Sequence, residues 1–306
     1  MNKRIITAAS VFIILVFIGY MIWDTATFRD NKPSETTLNK FPQPEDKWEI
    51  SEVLEVMEGT LKAVGVSETG ILFIGGDSFI SSYDNELKQK WTVETSDAIT
   101  SLSVNGETLY ASTKEKILLV DLNGKITEEW GPYEKNSMIT SVSSNTNFVA
   151  FADAGTKRVF ILKKNREVAS MIGHAEEKFI IPSPYFDVAL TEDNVLFIAN
   201  TGKLRIETWT TDGRLLNYFG ETGTAPDAFC GCCNPAHFAL LKDGFVTAEK
   251  GINRIKILNN NGEFVEFVSS SNDFMASIPL DIEVYNENKV YAANPGNSKL
   301  YVFTRK

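Results

Sequence analysis

Short apolar stretches recur along the chain from Lys47 onward, and their spacing predicts the architecture. Six of them, each preceded by a loop, centre on positions that lie 38, 40, 46, 51 and 43 residues apart, namely Val64, Leu102, Val142, Val188, Ala239 and Ile282. A second and a third apolar stretch follow within each repeat, and no amphipathic helix of useful length is found in this region. A period of about forty residues is typical of the four-stranded blades of a β-propeller.

The turns between the predicted third and fourth strands carry residues suited to tight hairpins. Asn123-Gly124, Asp212-Gly213 and Asn261-Gly262 stand at this position, and such pairs supply the positive φ angles that these turns require. A four-stranded blade cannot bury both of its faces alone, so the repeats must stack on one another and close into a ring. We therefore predict an all-β, six-bladed propeller for residues 47–306.

The last repeat lacks a fourth strand, which the start of the domain is able to supply. After the third strand of that repeat the chain reaches Arg305 and Lys306, whereas an extra alternating stretch runs from Trp48 to Val56 before the first repeat. Pairing this stretch with the last repeat closes the ring with strands from both ends. It also removes an exposed sheet edge, which would otherwise promote aggregation.

An uncharged apolar run of nineteen residues, from Ile5 to Trp23, precedes this domain. At about 1.5 Å per residue, a helix of this length covers roughly 30 Å, the hydrocarbon thickness of a bilayer. Lys3 and Arg4 before the run favour a cytoplasmic N-terminus and an extracytoplasmic location for the rest of the chain. A cleaved secretory signal is the alternative, but cutting after Ala26 would put an aspartate where a small residue is required.

The composition changes after this run. Residues 24–46 are polar and contain Pro33, Pro42 and Pro44, so they cannot bury a core and favour extended conformations. We therefore predict an uncleaved single-pass anchor at residues 1–23, a stalk at residues 24–46, and a propeller on the periplasmic or extracellular side. The membrane is then one partner through the N-terminal helix, and we expect a protein of the same membrane or envelope to be another.

The predicted turns between the second and third strands share a pattern in the last four repeats. The pattern is apolar-x-Ala-Asp/Asn-x-Gly-x-x-Arg-apolar, as in Phe151-Ala152-Asp153-Ala154-Gly155-Thr156-Lys157-Arg158-Val159, and related stretches occupy residues 198–206, 247–255 and 292–300. It resembles the NHL repeat, although the first two repeats lack the arginine. The resemblance implies a six-bladed propeller and no single activity, because this fold hosts scaffolds, receptors and enzymes.

All three cysteines of the chain lie in one short insertion. Phe179 and Pro182 are three residues apart in the loop that follows the third repeat, whereas Phe229 and Pro235 are six apart in the next such loop. The extra length holds Cys230, Cys232 and Cys233, and His237 comes shortly after it.

Three interpretations of the insertion stay open. Outside the cytoplasm thiols usually oxidise, so Cys230 could form a disulfide with Cys232 or Cys233. The three thiolates with His237 could bind a soft metal ion, copper or zinc, although the spacing is not that of paired zinc knuckles. A strained disulfide between adjacent cysteines would instead be easily reduced and would suit a redox site.

A second candidate site lies where the repeat turns carry polar residues. In a four-stranded blade, the turn between the second and third strands and the loop to the next blade lie at the same end. We call the segment from Phe229 to Pro235 the cysteine loop. We therefore expect Asp153, Asn200, Glu249 and Asn294 to share a face with it, near the central channel. Carboxylate and amide oxygens of this kind could hold calcium at the channel mouth.

Charge narrows the choice of partners. The formal net charge is −10, which argues against nucleic acid and anionic lipid surfaces, because both require basic patches. We favour a membrane-tethered binding scaffold with a metal or redox site at the cysteine loop, and not an enzyme. The alternative is a propeller enzyme of lactonase or lyase type, with a divalent cation held by Asn200, Glu249 and Asn294.

Overall fold

The computed structural model describes residues 12, 14–20, 47–173, 179–231, 233–270, 274, 275 and 278–306. Two compact units are present, Met1–Glu45 and Asp46–Lys306. In the second unit, the described residues form six antiparallel sheets of four strands each, which confirms the predicted six-bladed propeller.

The strands follow the predicted repeats closely. In the first three blades they are β2 (Leu61–Val66), β3 (Leu72–Gly76), β4 (Phe79–Tyr83), β5 (Gln89–Glu94), β6 (Ser101–Asn105), β7 (Thr108–Ser112), β8 (Ile117–Asp121), β9 (Ile126–Trp130), β10 (Ile139–Ser144), β11 (Phe148–Asp153), β12 (Arg158–Lys163) and β13 (Val168–Ile172). In the last three they are β14 (Val188–Leu190), β15 (Val195–Asn200), β16 (Arg205–Thr210), β17 (Leu215–Phe219), β18 (His237–Leu241), β19 (Gly244–Ala248), β20 (Ile255–Asn259), β21 (Phe264–Ser269), β22 (Asp281–Tyr285), β23 (Lys289–Asn294), β24 (Lys299–Arg305) and β1 (Trp48–Glu55). A short 3₁₀ helix spans Thr201–Lys203.

The first strand completes the sixth blade. β1 pairs antiparallel with β24, from Trp48 opposite Arg305 to Glu55 opposite Lys299, which confirms closure of the ring by strands from both ends. The buried carboxylate of Glu266 on β21 of the fifth blade reinforces this closure. It accepts a hydrogen bond from Trp48 Nε1 at 3.0 Å and pairs with Arg305.

The hydrophobic core lies between the blades. Six clusters of buried apolar side chains are found in the described residues, and each is shared by two neighbouring blades. Phe73 of the first blade and Leu102 of the second, for example, belong to one cluster. The innermost strands β2, β6, β10, β14, β18 and β22 contact one another in sequence around the ring, and β22 contacts β2. Stacking of blades therefore supplies the burial that a single blade lacks.

The two ends of the propeller differ in their connections. We call one end the loop face. It carries the turns between second and third strands and the described parts of the segments between blades, which fall within residues 56–60, 95–100, 131–138, 173–187, 220–236 and 270–280. The turn face, at the other end, carries the remaining hairpins. Gly124, Gly213 and Gly262 have φ values of +87°, +92° and +83° there, as the Asn-Gly and Asp-Gly pairs predict.

Little of the predicted anchor belongs to the described part of the chain. Phe12 and residues 14–20 are helical, with exposed side chains. Among the residues described, no helix has both the length and the apolar character needed to cross a membrane. The other residues of the anchor and of the stalk lie outside the described part, so their boundaries at residues 23 and 46 stay predictions.

Candidate functional site

The polar residues expected at the channel mouth are used inside the blades. Asp153 is fully buried, and its carboxylate accepts hydrogen bonds from the backbone N–H of Met138 at 2.8 Å and of Gly155 at 2.9 Å, and from the hydroxyl of Ser137 at 2.9 Å. Asn294 is also buried and accepts the N–H of Gly296 at 2.8 Å.

The same arrangement recurs in the fourth and fifth blades. Asn200 Oδ1 accepts the N–H of Ile180 at 3.1 Å, and Glu249 Oε2 accepts that of Cys230 at 3.4 Å. Asp153, Asn200 and Glu249 thus each hold the segment that enters their blade, at the equivalent positions Met138, Ile180 and Cys230. Because these hydrogen bonds satisfy backbone donors that would otherwise be buried unpaired, they account for the Asp/Asn of the repeat.

The glycine of the repeat has a steric cause. A Cβ atom at Gly155 would lie 2.0 Å from the carbonyl oxygen of Asn136, and one at Gly202 would lie 2.3 Å from Cγ2 of Ile180. The inter-blade segment therefore crosses the repeat turn so closely that no side chain fits between them. None of the four polar residues expected at the channel mouth lines the cavity enclosed by the innermost strands.

Two cations neutralise Glu249 below the cysteine loop. Arg254 Nε and Lys256 Nζ lie 2.7 and 2.9 Å from Glu249 Oε1, in a fully buried cluster. Both side chains also donate to the carbonyl oxygen of Ala228, at 2.8 and 2.6 Å. Desolvation lowers the pKa of Lys256 to about 8. The cluster fixes the backbone that leads into the cysteines, and neither cation was identified from the sequence.

The described cysteines face different surroundings. The thiol of Cys230 is partly exposed and takes part in no disulfide, and burial together with the charge of Glu249 raises its pKa. Cys233 is buried, with its sulfur 2.9 Å from the hydroxyl of Ser183 in the preceding inter-blade segment. A raised pKa disfavours the thiolate, which is the form that binds metals and attacks disulfides.

The predicted four-ligand site involves Cys232, which lies outside the described residues. Within the described part of the chain, no group of three or more His, Cys, Asp or Glu side chains is placed to hold a metal ion. The set of Cys230, Cys232, Cys233 and His237 therefore stays a prediction.

His237 points towards two aspartates at the central channel. Its Nδ1 lies 3.3 Å from Oδ1 of Asp281 and 3.8 Å from Oδ2 of Asp187, and the ring of Tyr185 packs edge-on against it. Burial lowers the pKa of His237. Burial and the charge of Asp187 raise the pKa of Asp281 well above its usual value.

The aspartates belong to a ring of equivalent positions that we call the channel belt. Each member directly precedes one of six equivalent residues on the innermost strands, namely Val64, Leu102, Val142, Val188, Phe238 and Ile282. The members are Ala63, Ser101, Ser141, Asp187, His237 and Asp281. Four of them accept the backbone N–H of the next innermost strand: Ser101 from Val142 at 3.2 Å, Ser141 from Val188 at 3.2 Å, Asp187 from Phe238 at 2.8 Å and Asp281 from Val64 at 2.9 Å. The belt therefore supplies hydrogen-bond acceptors for backbone N–H groups on the strand edges that face the channel.

A cavity of about 190 Å³ opens inside the belt. Its polar lining comprises Ser101, Ser103, Ser141, Ser143, Asp187, Asp281 and Glu283. Burial raises the pKa of Glu283 to about 7. The sequence carries a weak signal for this site, since the belt residue directly precedes the centre of the repeat in five of the six repeats and lies two residues before Ala239 in the fifth. Alanine, serine, aspartate and histidine at these positions differ too much for the positions to stand out singly.

Comparison with known proteins confirms the fold. No family model and no curated protein matches the sequence. Among solved structures, a streptogramin B lyase superposes with a TM-score of 0.61 at 15% identity, over 85% of this chain and 98% of that one. Virginiamycin B lyase from Staphylococcus aureus gives 0.59 at 14% identity, over 84% and 99%. The WD40 propeller domain of Doa1 gives 0.60 at 13% identity, over 82% and 81%. These likenesses show a β-propeller and leave the NHL assignment as a resemblance in sequence.

Proposed function

We propose that this protein is a membrane-tethered, extracytoplasmic binding scaffold whose loop face contacts a protein partner. The observation that carries the proposal is the distribution of exposed apolar side chains. Met57, Met138, Ile180 and Met275 are 87%, 38%, 50% and 57% exposed, and each comes from a different inter-blade segment of the loop face. Apolar side chains gathered on one face, and methionine in particular, are typical of protein-binding surfaces.

The turn face offers a contrast. None of the hairpin turns described at that face contributes an exposed large apolar side chain. The other exposed apolar residues of the propeller lie on the outermost strands β1, β13, β17 and β21. Exposure of single apolar residues is ordinary, so it is their concentration on the inter-blade segments that singles out the loop face.

Hydrogen bonds from the repeat turns hold this surface in place. Asp153 and Asn200 fix the backbone of Met138 and Ile180, and Glu249 fixes that of Cys230 at the equivalent position. Fixed backbone lowers the entropy that binding costs. The cysteine loop is therefore part of the same surface, and we propose that any metal or redox chemistry of its thiols, with copper or zinc as the ion, acts on the bound partner.

The proposal of a membrane tether is based on the sequence of residues 1–46. The chain enters the propeller at Lys47, whose carbonyl oxygen accepts the N–H of Lys306 at 2.8 Å on the turn face. The enzyme alternative lacks an equivalent observation, because Asn200, Glu249 and Asn294, its expected cation ligands, are engaged in hydrogen bonds within their own blades.

Substitutions on the two kinds of exposed site test the proposal. The full-length protein would be cross-linked in its own membranes and its partners quantified by mass spectrometry. We expect Ile180→Asn combined with Met138→Asn to lower partner recovery more than tenfold without changing the melting temperature. Leu216→Asn is the matched control, since Leu216 is 48% exposed on β17, and it should recover the partner normally. Equal recovery with both variants, or loss with Leu216→Asn alone, would overturn the proposal.

A further inference from the structure

The central cavity carries carboxyl groups that the fold does not require. Ser101 and Ser141 accept the N–H of the next innermost strand in the second and third blades. Asp187 and Asp281 do the same in the fourth and sixth blades. Since a serine hydroxyl serves this role at two of the equivalent positions, the structural hydrogen bond does not explain the carboxylates.

Buried glutamates elsewhere in the described chain have cationic partners. Glu207 lies 2.6 Å from the guanidinium of Arg205, Glu249 is paired with Arg254 and Lys256, and Glu266 is paired with Lys47 and Arg305. This is the usual arrangement, because an unpaired buried charge is costly.

The carboxylates of the cavity have no such partner among the described residues. Asp187 is 8% exposed and is contacted by backbone N–H groups, the hydroxyl of Ser141 and the His237 ring. Asp281 is contacted by the N–H of Val64 and by His237, and Glu283 by the N–H of Val284. The raised pKa values of Asp281 and Glu283 are consistent with this lack of a cation.

We propose that the cavity binds a small organic cation, an aliphatic primary ammonium compound, between Asp187, Asp281 and Glu283. An ammonium group has three N–H donors and no acceptor, which suits a site of carboxylates and hydroxyls. A volume of about 190 Å³ corresponds to roughly six waters at about 30 Å³ each, enough for a short alkyl chain. A metal ion needs several ligands that converge on one point, and the described residues offer no such group. An ammonium group can be bound by hydrogen bonds without that geometry.

One route into the cavity leads from the turn face. A second depression, of about 360 Å³, lies at that end of the channel beside Ser67, Glu68 and Tyr285, and it shares Ser103 and Glu283 with the central cavity. Glu283 therefore stands between the outside and the two aspartates. Because the loop face is not on this route, the cation site goes beyond the proposed scaffold function, and the two can be tested separately.

Calorimetric titration of the full-length protein with propylamine at pH 7 tests the site. Propan-1-ol, which matches the probe in size without its charge, and calcium chloride are the control titrants. We expect saturable binding of propylamine alone, with a rise in melting temperature. Binding of propan-1-ol with equal affinity, binding of calcium in place of propylamine, or no binding at all would overturn the proposal.

Variants locate the site. Asp281→Ser and Asp187→Ser introduce serine, the residue found at the equivalent belt positions of the second and third blades. The hydroxyl can still accept the N–H of the next innermost strand. Glu283→Gln removes the titratable group without changing the shape of the side chain. Each should weaken propylamine binding at least tenfold while the β-sheet spectrum is retained. Glu94→Gln, which removes a charge from an exposed position on the outermost strand β5, should change affinity less than threefold. Unchanged affinity in Asp281→Ser and in Glu283→Gln would refute the proposal, and either variant suffices if the other does not fold.

Discussion

Two carboxylates inside this propeller serve different ends. Glu249 under the cysteine loop and Asp281 at the channel both accept a backbone N–H from a neighbouring segment, that of Cys230 and that of Val64. Arg254 and Lys256 pair with Glu249, whereas Asp281 lies beside the His237 ring, the backbone N–H of Val64 and the charge of Asp187, with no Arg or Lys partner among the described residues. The comparison teaches that the charge of Glu249 is neutralised within the fold, whereas the Asp281 carboxyl has no Arg or Lys beside it among the described residues and is available to a cationic ligand.

The largest effect is expected from removing the cation of the paired carboxylate. Arg254→Ala leaves Glu249 with Lys256 as its one cationic partner and frees the carbonyl oxygens of Thr224 and Ala225. We expect the free energy of unfolding, measured by urea denaturation, to fall by about 3–5 kcal/mol, because breaking a buried ion pair exposes its full desolvation penalty.

The third blade supplies a matched control for that measurement. Arg158 holds the equivalent position in the repeat, but it lies 3.5 Å from Glu134 in a pair whose side chains are 31% and 40% exposed. Arg158→Ala should therefore cost less than about 1 kcal/mol. Similar losses for the two arginines would remove the distinction between paired and exposed sites.

An effect of intermediate size is expected from the unpaired carboxylates as pH changes. The pKa of Glu283 is about 7 in the folded protein against 4.5 normally. Between these values the folded state holds a proton that the unfolded state has released, so stability falls as pH rises through this window. Glu283→Gln removes this dependence, and the difference between the two proteins should reach about 1–3 kcal/mol by pH 8.

Urea midpoints of the parent protein and the Glu283→Gln variant, measured from pH 4 to pH 8, check the sign. Only their difference is diagnostic, because exposed carboxylates such as Asp84, whose pKa is lowered to about 2, act on both proteins alike. Parallel pH profiles would show that Glu283 is as well solvated as an exposed glutamate, and would remove the contrast with Glu249.

The smallest effect concerns the thiol beside the paired carboxylate. Cys230→Ser should change the free energy of unfolding by less than about 0.5 kcal/mol, since the side chain is partly exposed. In the parent protein, alkylation of Cys230 by iodoacetamide should be half-maximal above pH 9, because burial and the charge of Glu249 disfavour the thiolate. Fragmentation mass spectrometry assigns the modified cysteine. Rapid alkylation at pH 7 would instead indicate an activated thiol.

The fold could be predicted from the sequence because its causes are local and repeated. The spacing of apolar stretches sets the blades, and the Asn-Gly and Asp-Gly pairs set the outer hairpins. Phe179 and Phe229 are both buried, as their shared place in the repeat suggests. The alternating stretch after Trp48 has no place in the first repeat, which is why it could be assigned to the last one.

The site was harder to predict because its partners are distant in sequence. Asp153 and Asn200 end a strand beside a turn, where a polar residue can equally bind a ligand or hold a loop. The N–H groups they accept belong to Met138 and Ile180, 15 and 20 residues earlier, on a segment whose path the sequence does not specify. The cavity was missed for a related reason, since Asp187 and Asp281 come together only when the ring closes.

The closing strand also bears on how such a protein changes in evolution. Because β1 belongs to the sixth blade, that blade combines the first strand of the domain with its last three, so its four strands are not consecutive in the sequence. Duplication or loss of one whole repeat inside the chain would leave β1 and β24 still able to pair, with a ring of different size between them. Loss at either end would instead remove half of the one junction that closes the ring. Blade number can therefore drift through the middle of the sequence while both ends stay fixed.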